Sequence, residues 1–402
     1  YGLDEFNVQG LPLFTKFIDE ATANGPRALD MQRAKAVKAL LESAGFAAPA
    51  RVRMVGHYAV DRAEPADQGP TWSDVVAEHP NLTGVRKRIR LYDIPRGASA
   101  ERRQQITRSA RREYELTSGL KHPGVVAPED FFEDPQAGPA LQFAYDGKAQ
   151  RLDRWLEANR DSLTLDRRLE LVRQVAEILR YAHGRGVTHR ALTPRQVFVT
   201  QASSGEIRAS IRDWQTGRET PGTQTGTAAP QPTLLQGTRH VADMAAQETW
   251  VYLAPEIYLA DEPDGVALDV YGLGALTYLL LTLQPPATSM ADLEQRIRGS
   301  RGLDPAIDLD GVPESLRQLV MRATHPDARM DRTPDIAAFL ADLDKAEVEL
   351  HSGQEPEPVL DPLEAMAGSV LGDRFEVRSR LGSGSTGLAL LVNDYSRDEA
   401  EK

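Results

Sequence analysis

Two features of the chain could support chemistry on a phosphate or a cation. The run Gly382-Ser383-Gly384-Ser385-Thr386-Gly387 follows the strand-like Phe375–Val377 and precedes the apolar Leu388–Val392. Glycines at that spacing in a strand-turn-strand setting let backbone N–H groups close on a phosphate, although a plain hairpin carries the same pattern. The second feature is Asp213, just after the β-branched run Ile207–Ile211. A single carboxylate can hold a magnesium ion bridged to phosphate oxygens, or it can hydrogen-bond within its own loop; both readings stay open. Two absences narrow the choice. There is no cysteine, hence no disulfide, thiolate metal site or thiol nucleophile, and no lysine lies between Lys148 and Lys345.

The elements that must position these residues change along the chain. Two helices are expected in residues 1–50, over Leu11–Ala21 and Ala28–Ala44, the second with Met31, Ala34, Val37, Leu40 and Leu41 at helical spacing. From Arg51 to Ala100 the pattern is strand-like, with Val52, Met54, His57–Val60 and Val85–Ile94. Beyond Glu101 it turns helical and stays mostly so from Leu165 to Val348, apart from Val197–Val199 and Ile207–Ile211. Sheet first and helices after predicts an α+β, bilobal fold with a small β-rich lobe and a large helical one. Residues 219–248, rich in Thr, Gln, Pro and Gly, are expected to be a mobile segment, and the Pro- and Glu-rich residues 348–370 a linker.

At 402 residues and 41% hydrophobic content the chain can bury a sizeable core. A formal charge of −12 argues against a protein that coats nucleic acid. No apolar run of membrane-spanning length and no signal segment is read, so the cytoplasm is the expected compartment and a membrane is not an expected partner. The first residue is Tyr1, which suggests an internal fragment of a longer protein.

Two distant segments look like copies of one domain opening: Val55-Gly56-His57-Tyr58-Ala59-Val60-Asp61-Arg62 and Leu371-Gly372-Asp373-Arg374-Phe375-Glu376-Val377-Arg378. The second leads into the glycine run. The first leads into Arg62-Ala63-Glu64-Pro65-Ala66-Asp67-Gln68-Gly69-Pro70, with a single glycine. One domain reads as complete but degraded, and the other as intact in its opening but truncated.

Residues 52–346 resemble protein kinases through landmarks in the right order. Glu113-Tyr114-Glu115-Leu116 and Leu120-Lys121-His122-Pro123-Gly124-Val125-Val126 resemble the end of helix C and the next strand, with Glu113 as the ion-pairing glutamate. Its lysine partner should stand on the preceding strand. Lys87-Arg88-Ile89-Arg90-Leu91-Tyr92 places Arg90 there, and a register shifted by three would offer Lys87 instead. Arginine can pair with a carboxylate, but its planar fork fits poorly where a compact ammonium bridges phosphates. His189-Arg190-Ala191-Leu192-Thr193-Pro194-Arg195-Gln196-Val197 resembles the catalytic loop, with Ala191 replacing the Asp that takes the substrate hydroxyl's proton and Gln196 replacing the Asn that holds magnesium. Asp213-Trp214-Gln215 stands in place of D-F-G, so Asp213 is the one metal-binding letter retained.

Architectural positions persist: His189 and Arg190, Glu256 in the A-P-E match, Asp269 at the start of helix F, and Arg329 as the expected salt-bridge partner of Glu256. A missing general base alone costs about 10²–10⁴-fold in rate. No catalytic residue is therefore expected in this domain, whose degenerate positions are Arg90, Ala191 and Gln196.

The order of a degraded kinase-like domain, an acidic linker and a second glycine-rich opening resembles the large NERD-domain Ser/Thr kinases of bacterial phage-growth-limitation and phage-exclusion (BREX) defence systems. The resemblance implies residues 1–50 as a helical connector or the tail of a NERD domain, 51–347 as a pseudokinase domain, 348–370 as linker and 371–402 as the start of a second kinase domain. ATP and Mg²⁺ would serve that second domain through Gly382, Gly384 and Gly387. The implied partners are the adjacent kinase domain and other phage-defence proteins. Two alternatives are weighed beside a regulatory pseudokinase: an atypical active kinase using Lys87 and Asp213, and a nucleotide-free adaptor.

Overall fold

The computed structural model describes residues 53–60, 66–69, 71–95, 97–203, 205–214, 217–219, 247–259, 263–351, 363, 365–366, 368–372, 374–384 and 387–394. The two helices expected in residues 1–50 and most of the segment 219–248 lie outside the described residues, as do Gln215, Ser385 and Thr386.

The chain divides into two compact units, residues 1–67 with 74–89, and residues 68–73 with 90–402. The first contains strands β1 (Arg53–Val55) and β2 (Tyr58–Val60), the start of β3 (Asp67–Gln68), most of β4 (Trp72–Glu78) and the start of β5 (Arg86–Tyr92). β1 and β2 form an antiparallel hairpin with Val55 opposite Tyr58, turning at Gly56, whose φ of 57° suits a residue without Cβ. β2 pairs with β4, Val60 opposite Ala77. Val55, Val60, Ala77 and Ile89 are buried, and Arg88 forms a buried ion pair with Asp74.

The second unit opens with the end of β5, beside which lie β7 (Gly138–Ala144) and then β6 (Asp130–Asp134), an antiparallel pair with Phe132 opposite Ala140. These two strands follow helix α1 (Ala100–Ser118), whose start is capped by Ser99 Oγ accepting from the Arg102 amide at 3.2 Å. The strand expected after this helix at Leu120–Val126 is instead a turn and loop, where Val125 makes an isolated bridge to Ile211, and the strands come later.

Then comes the helical lobe: α2 (Leu152–Asn159), α3 (Leu165–His183), α4 (Glu256–Leu259), α5 (Gly265–Thr282), α6 (Met290–Ser300), α7 (Glu314–Ala323) and α8 (Ile336–His351). The short strands here are β8 (Gln150–Arg151), β9 (Val187–Thr188), β10 (Val197–Gln201), β11 (Ile207–Ile211) and β12 (Arg218–Glu219); β10 and β11 pair antiparallel with Val199 opposite Ala209. The core gathers around α3, α5, α7 and α8, with Leu171, Val175, Ile178, Leu273, Leu276, Leu316, Val320, Phe339 and Leu343 buried.

α5 corrects the expectation that no apolar run could span a membrane. It has 18 residues and a mean hydropathy of 1.4, long and apolar enough by length and composition. Every residue from Ala267 to Thr282 is buried in the lobe, so α5 is apolar on all sides because neighbours cover all sides. α8 also runs to His351, four residues into the segment read as linker. Finally β14 (Phe375–Gly384) and β15 (Gly387–Asp394) form an antiparallel hairpin with Gly384 opposite Gly387, flanked by β13 (Val370–Leu371).

Candidate active site

Strand β5 delivers Arg90 and Tyr92, and helix α1 delivers Glu113 on the buried face it shares with Ala110, Leu116 and Thr117. Arg90 is 1% exposed and Glu113 2% exposed. Arg90 Nη1 lies 3.5 Å from Glu113 Oε1, so the ion pair expected across this strand and helix is present, in the Arg90 register. Lys87 stands three residues earlier on the strand, and a period of two turns its side chain to the opposite face from Arg90. Tyr92 donates its hydroxyl to the second oxygen of Glu113. Burial, followed by the neighbouring Glu113 charge, holds the Tyr92 phenol well above its usual range, which keeps it a donor.

The other Nη of Arg90 bonds Asp213 Oδ1. Asp213 directly follows β11 and Arg212, with φ of 63°. One guanidinium thus serves two buried carboxylates, and its flat face lies 3.6 Å from the ring centre of Trp72, with Phe143 at 5.7 Å. Trp72, Tyr92, Ala110, Leu141 and Phe143 form the apolar cluster around it. The fork that fits poorly between phosphates is well matched to two carboxylates, one on each edge.

The loop from His189 to Gln196 is held from below by α5. Asp269, fully buried, accepts from the His189 amide at 2.8 Å, the Arg190 amide at 2.5 Å and His183 Nε2 at 2.8 Å. Arg190 has φ of 72°, a left-handed conformation fixed by these bonds. His189 donates through Nε2 to the Arg212 carbonyl at 3.0 Å and meets Trp214 edge-on at 4.9 Å. Gly272 permits the close approach of α5, since a Cβ there would sit 3.0 Å from the Leu192 carbonyl oxygen.

Ala191, 8% exposed, offers a methyl group where a base would stand. Gln196 is committed within its own loop: its Oε1 accepts from the Thr193 hydroxyl, its amide donates to the Thr193 carbonyl at 3.1 Å, and its carbonyl accepts from the Arg212 amide at 2.9 Å. Among the described residues no three His, Cys, Asp or Glu side chains converge as a metal cluster. Magnesium does not fit this site as it stands. Asp213, the expected ligand, is bonded to a guanidinium, and the Gln196 side-chain oxygen accepts from the Thr193 hydroxyl.

Glu256 corrects one assignment. Its salt-bridge partner is Arg332, not Arg329: Arg332 Nη2 lies 3.1 Å from Glu256 Oε2, and Nη1 bonds Oε1. Arg332 also donates to the Ala267 carbonyl at 3.1 Å and the His325 carbonyl at 2.8 Å. Arg329 is exposed because Asp327 caps a turn here, accepting from the Arg329 and Met330 amides at 3.0 and 3.1 Å, which keeps that stretch on the rim. Three residues later the chain re-enters the core. The acidic residue three places before Met330 is the sequence signal for that turn. Trp72 and Tyr92 were also missed as site residues, and nothing in their local sequence separates them from ordinary core aromatics. Gly382, Gly384 and Gly387 fall at the closed end of the β14–β15 hairpin, apart from the Arg90 site in sequence.

Comparison with known proteins agrees with this fold. The protein kinase domain family matches residues 94–328. The chain is 36% identical over 426 residues to Probable kinase PglW of Streptomyces coelicolor, covering 98% of this chain and 27% of that protein. It is 29% identical over 202 residues to the serine/threonine-protein kinase PknJ of Mycobacterium tuberculosis, covering 48% of this chain and 31% of PknJ. The crystal structure of the Mycobacterium tuberculosis PknI kinase domain has the same fold, with a TM-score of 0.52 and 20% identity over 73% of this chain and 98% of that one. The chain spans well under half the length of these curated relatives. The chain belongs to the protein kinase domain family.

Proposed function

We propose that residues 51–347 are a catalytically silent, regulatory pseudokinase module in a bacterial Ser/Thr kinase of a phage-defence system. The observation that carries this reading is Asp213 bonded to Arg90 while Ala191 stands at the base position. Phosphoryl transfer needs an aspartate open to a cation and an acceptor for the hydroxyl proton; here Arg90 holds that aspartate and the Ala191 methyl accepts no proton. Arg90, stacked on Trp72 and bridging Glu113 and Asp213, further favours a module that works without nucleotide. ATP and Mg²⁺ use, general to the family, would belong to the second kinase domain opening at Gly372, with Gly382, Gly384 and Gly387 in its phosphate loop. The adjacent domain is the proposed partner, in the cytoplasm. The similarity to Probable kinase PglW and the order of the domains support the defence setting.

The test is calorimetric titration of ATP into the chain with and without magnesium, paired with a labelled-phosphate transfer assay. No magnesium-dependent heat and no transfer are the expected results. Magnesium-dependent turnover abolished by Asp213→Ala would overturn the reading.

A further inference from the structure

One face of the helical lobe takes no part in the site above. There α3 and α8 present Asp166, Glu170, Arg173, Glu347 and His351 around a small polar pocket closed by Met366 and Arg380. Arg173 is satisfied from α8, with Asp344 and Glu347 both at 2.6 Å. His351 pairs with Asp166 at 3.2 Å. Arg380 enters from β14, two residues before Gly382. Its Nη1 lies 3.1 Å from Glu170 Oε2, and each of these side chains is 11% exposed. Its Nε donates to the Ala365 carbonyl at 2.8 Å, and its other Nη donates to the Leu363 carbonyl.

The acceptor is itself held in place. Glu170 Oε1 accepts from Gln174 Nε2 at 2.8 Å, and Gln174 is fixed on β11 through the Ile207 carbonyl at 3.0 Å and the Ala209 amide at 2.7 Å. The segment before the hairpin also comes close to α8: Gly368 has φ of 89°, and a Cβ there would lie 3.2 Å from His351 Cβ. Apolar burial adds little. Val377 is the one fully buried hydrophobic side chain of the hairpin among the described residues, while Leu381 and Leu391 are half exposed. A hairpin edged only by the two-residue β13 is marginal by itself, so its position depends on what anchors it.

We propose that this α3–α8 face is the docking surface for the glycine-rich hairpin that opens the second kinase domain, with Arg380 on Glu170 as the contact that fixes it. This rests on reading residues 371–402 as that opening. The guanidinium fork meets a carboxylate on one edge and two carbonyls on the other, which an ammonium could not reproduce. The pseudokinase module thereby sets where the phosphate-cradling turn sits.

Hydrogen exchange on the full 402-residue chain tests it. Arg380→Ala and Glu170→Ala are each expected to speed exchange across residues 375–394 about tenfold or more, with residues 265–282 unchanged. The swapped pair Glu170→Arg with Arg380→Glu should recover part of the protection. Unaltered exchange in both single variants overturns the proposal, and so does an equal rise in residues 265–282, which would report global opening. A transfer assay on the same samples keeps two ideas apart: turnover by the unmodified chain would overturn the silent-module reading and leave exchange to judge the docking surface.

Discussion

Asp213 and Asp269 are both buried beside the same loop, yet they are held in opposite ways. Asp269 takes two backbone amides, donors supplied by the path of the chain itself, with the His183 imidazole beside them. Asp213 takes a side chain, Arg90, supplied by a strand more than a hundred residues away. Backbone donors persist through any substitution short of proline, whereas a side-chain partner changes with one residue. The scaffold of a kinase can therefore outlast its chemistry: the carboxylate that shapes the loop keeps its partners, and the one that would bind metal is left to whichever side chain reaches it.

The sharpest break of this comparison is Asp269→Ala. It leaves two amides and an imidazole in the core without their acceptor, and a loss of about 3–5 kcal/mol is expected in denaturant unfolding. A change under about 1 kcal/mol would mean the loop is held elsewhere. Next, Arg332→Ala strands Glu256 and two carbonyls and should cost about 2–4 kcal/mol, while Arg329→Ala should stay within about 0.5 kcal/mol. Equal effects would undo the assignment of the salt bridge to Arg332.

Arg90→Ala targets the other carboxylate. It should lower stability by about 1–3 kcal/mol and free Asp213 for a cation, so that magnesium raises the melting temperature of the variant and leaves the parent chain unmoved. A magnesium response in the parent chain would contradict the occupancy of Asp213 by Arg90.

The smallest effect concerns a third acid, Glu177 on α3, which burial lifts to about 7 against the pull of Arg173 and Arg180. Its folded value lies above the ordinary 4.5, so its contribution is fully present below pH 4.5 and is lost as pH rises through about 7. Stability at pH 5 should exceed that at pH 8, and Glu177→Gln should flatten this difference. An unchanged slope in the variant would assign the pH dependence to other groups, such as His351, whose pairing with Asp166 raises it and acts in the same direction.

The sequence made the two-lobe plan legible because hydrophobic period and landmark order are local properties. It also carried the Arg90 register, in which Arg90 meets Glu113. It could not show that Arg90 reaches Asp213 as well as Glu113, because that contact joins β5, α1 and the second residue after β11. Trp72 is invisible for the same reason: an aromatic on a strand reads as core until something lies across its face. Arg329 and Arg332 sit three residues apart with similar neighbours, and only the Asp327 turn decides which faces inward. α5 was misjudged because a helix covered on all sides has the composition of one that lies in lipid.

The Arg90 bridge makes the site its own ligand. A free nucleotide competes through its concentration and forfeits translational freedom on binding, whereas a tethered guanidinium is present at a fixed, high effective concentration and forfeits almost none. If the proposed silent-module reading holds, a module occupied in this way would not follow the rise and fall of cellular ATP. On that reading its conformation would be set when the chain folds, and it would present the same surfaces in a starved cell as in a well-fed one.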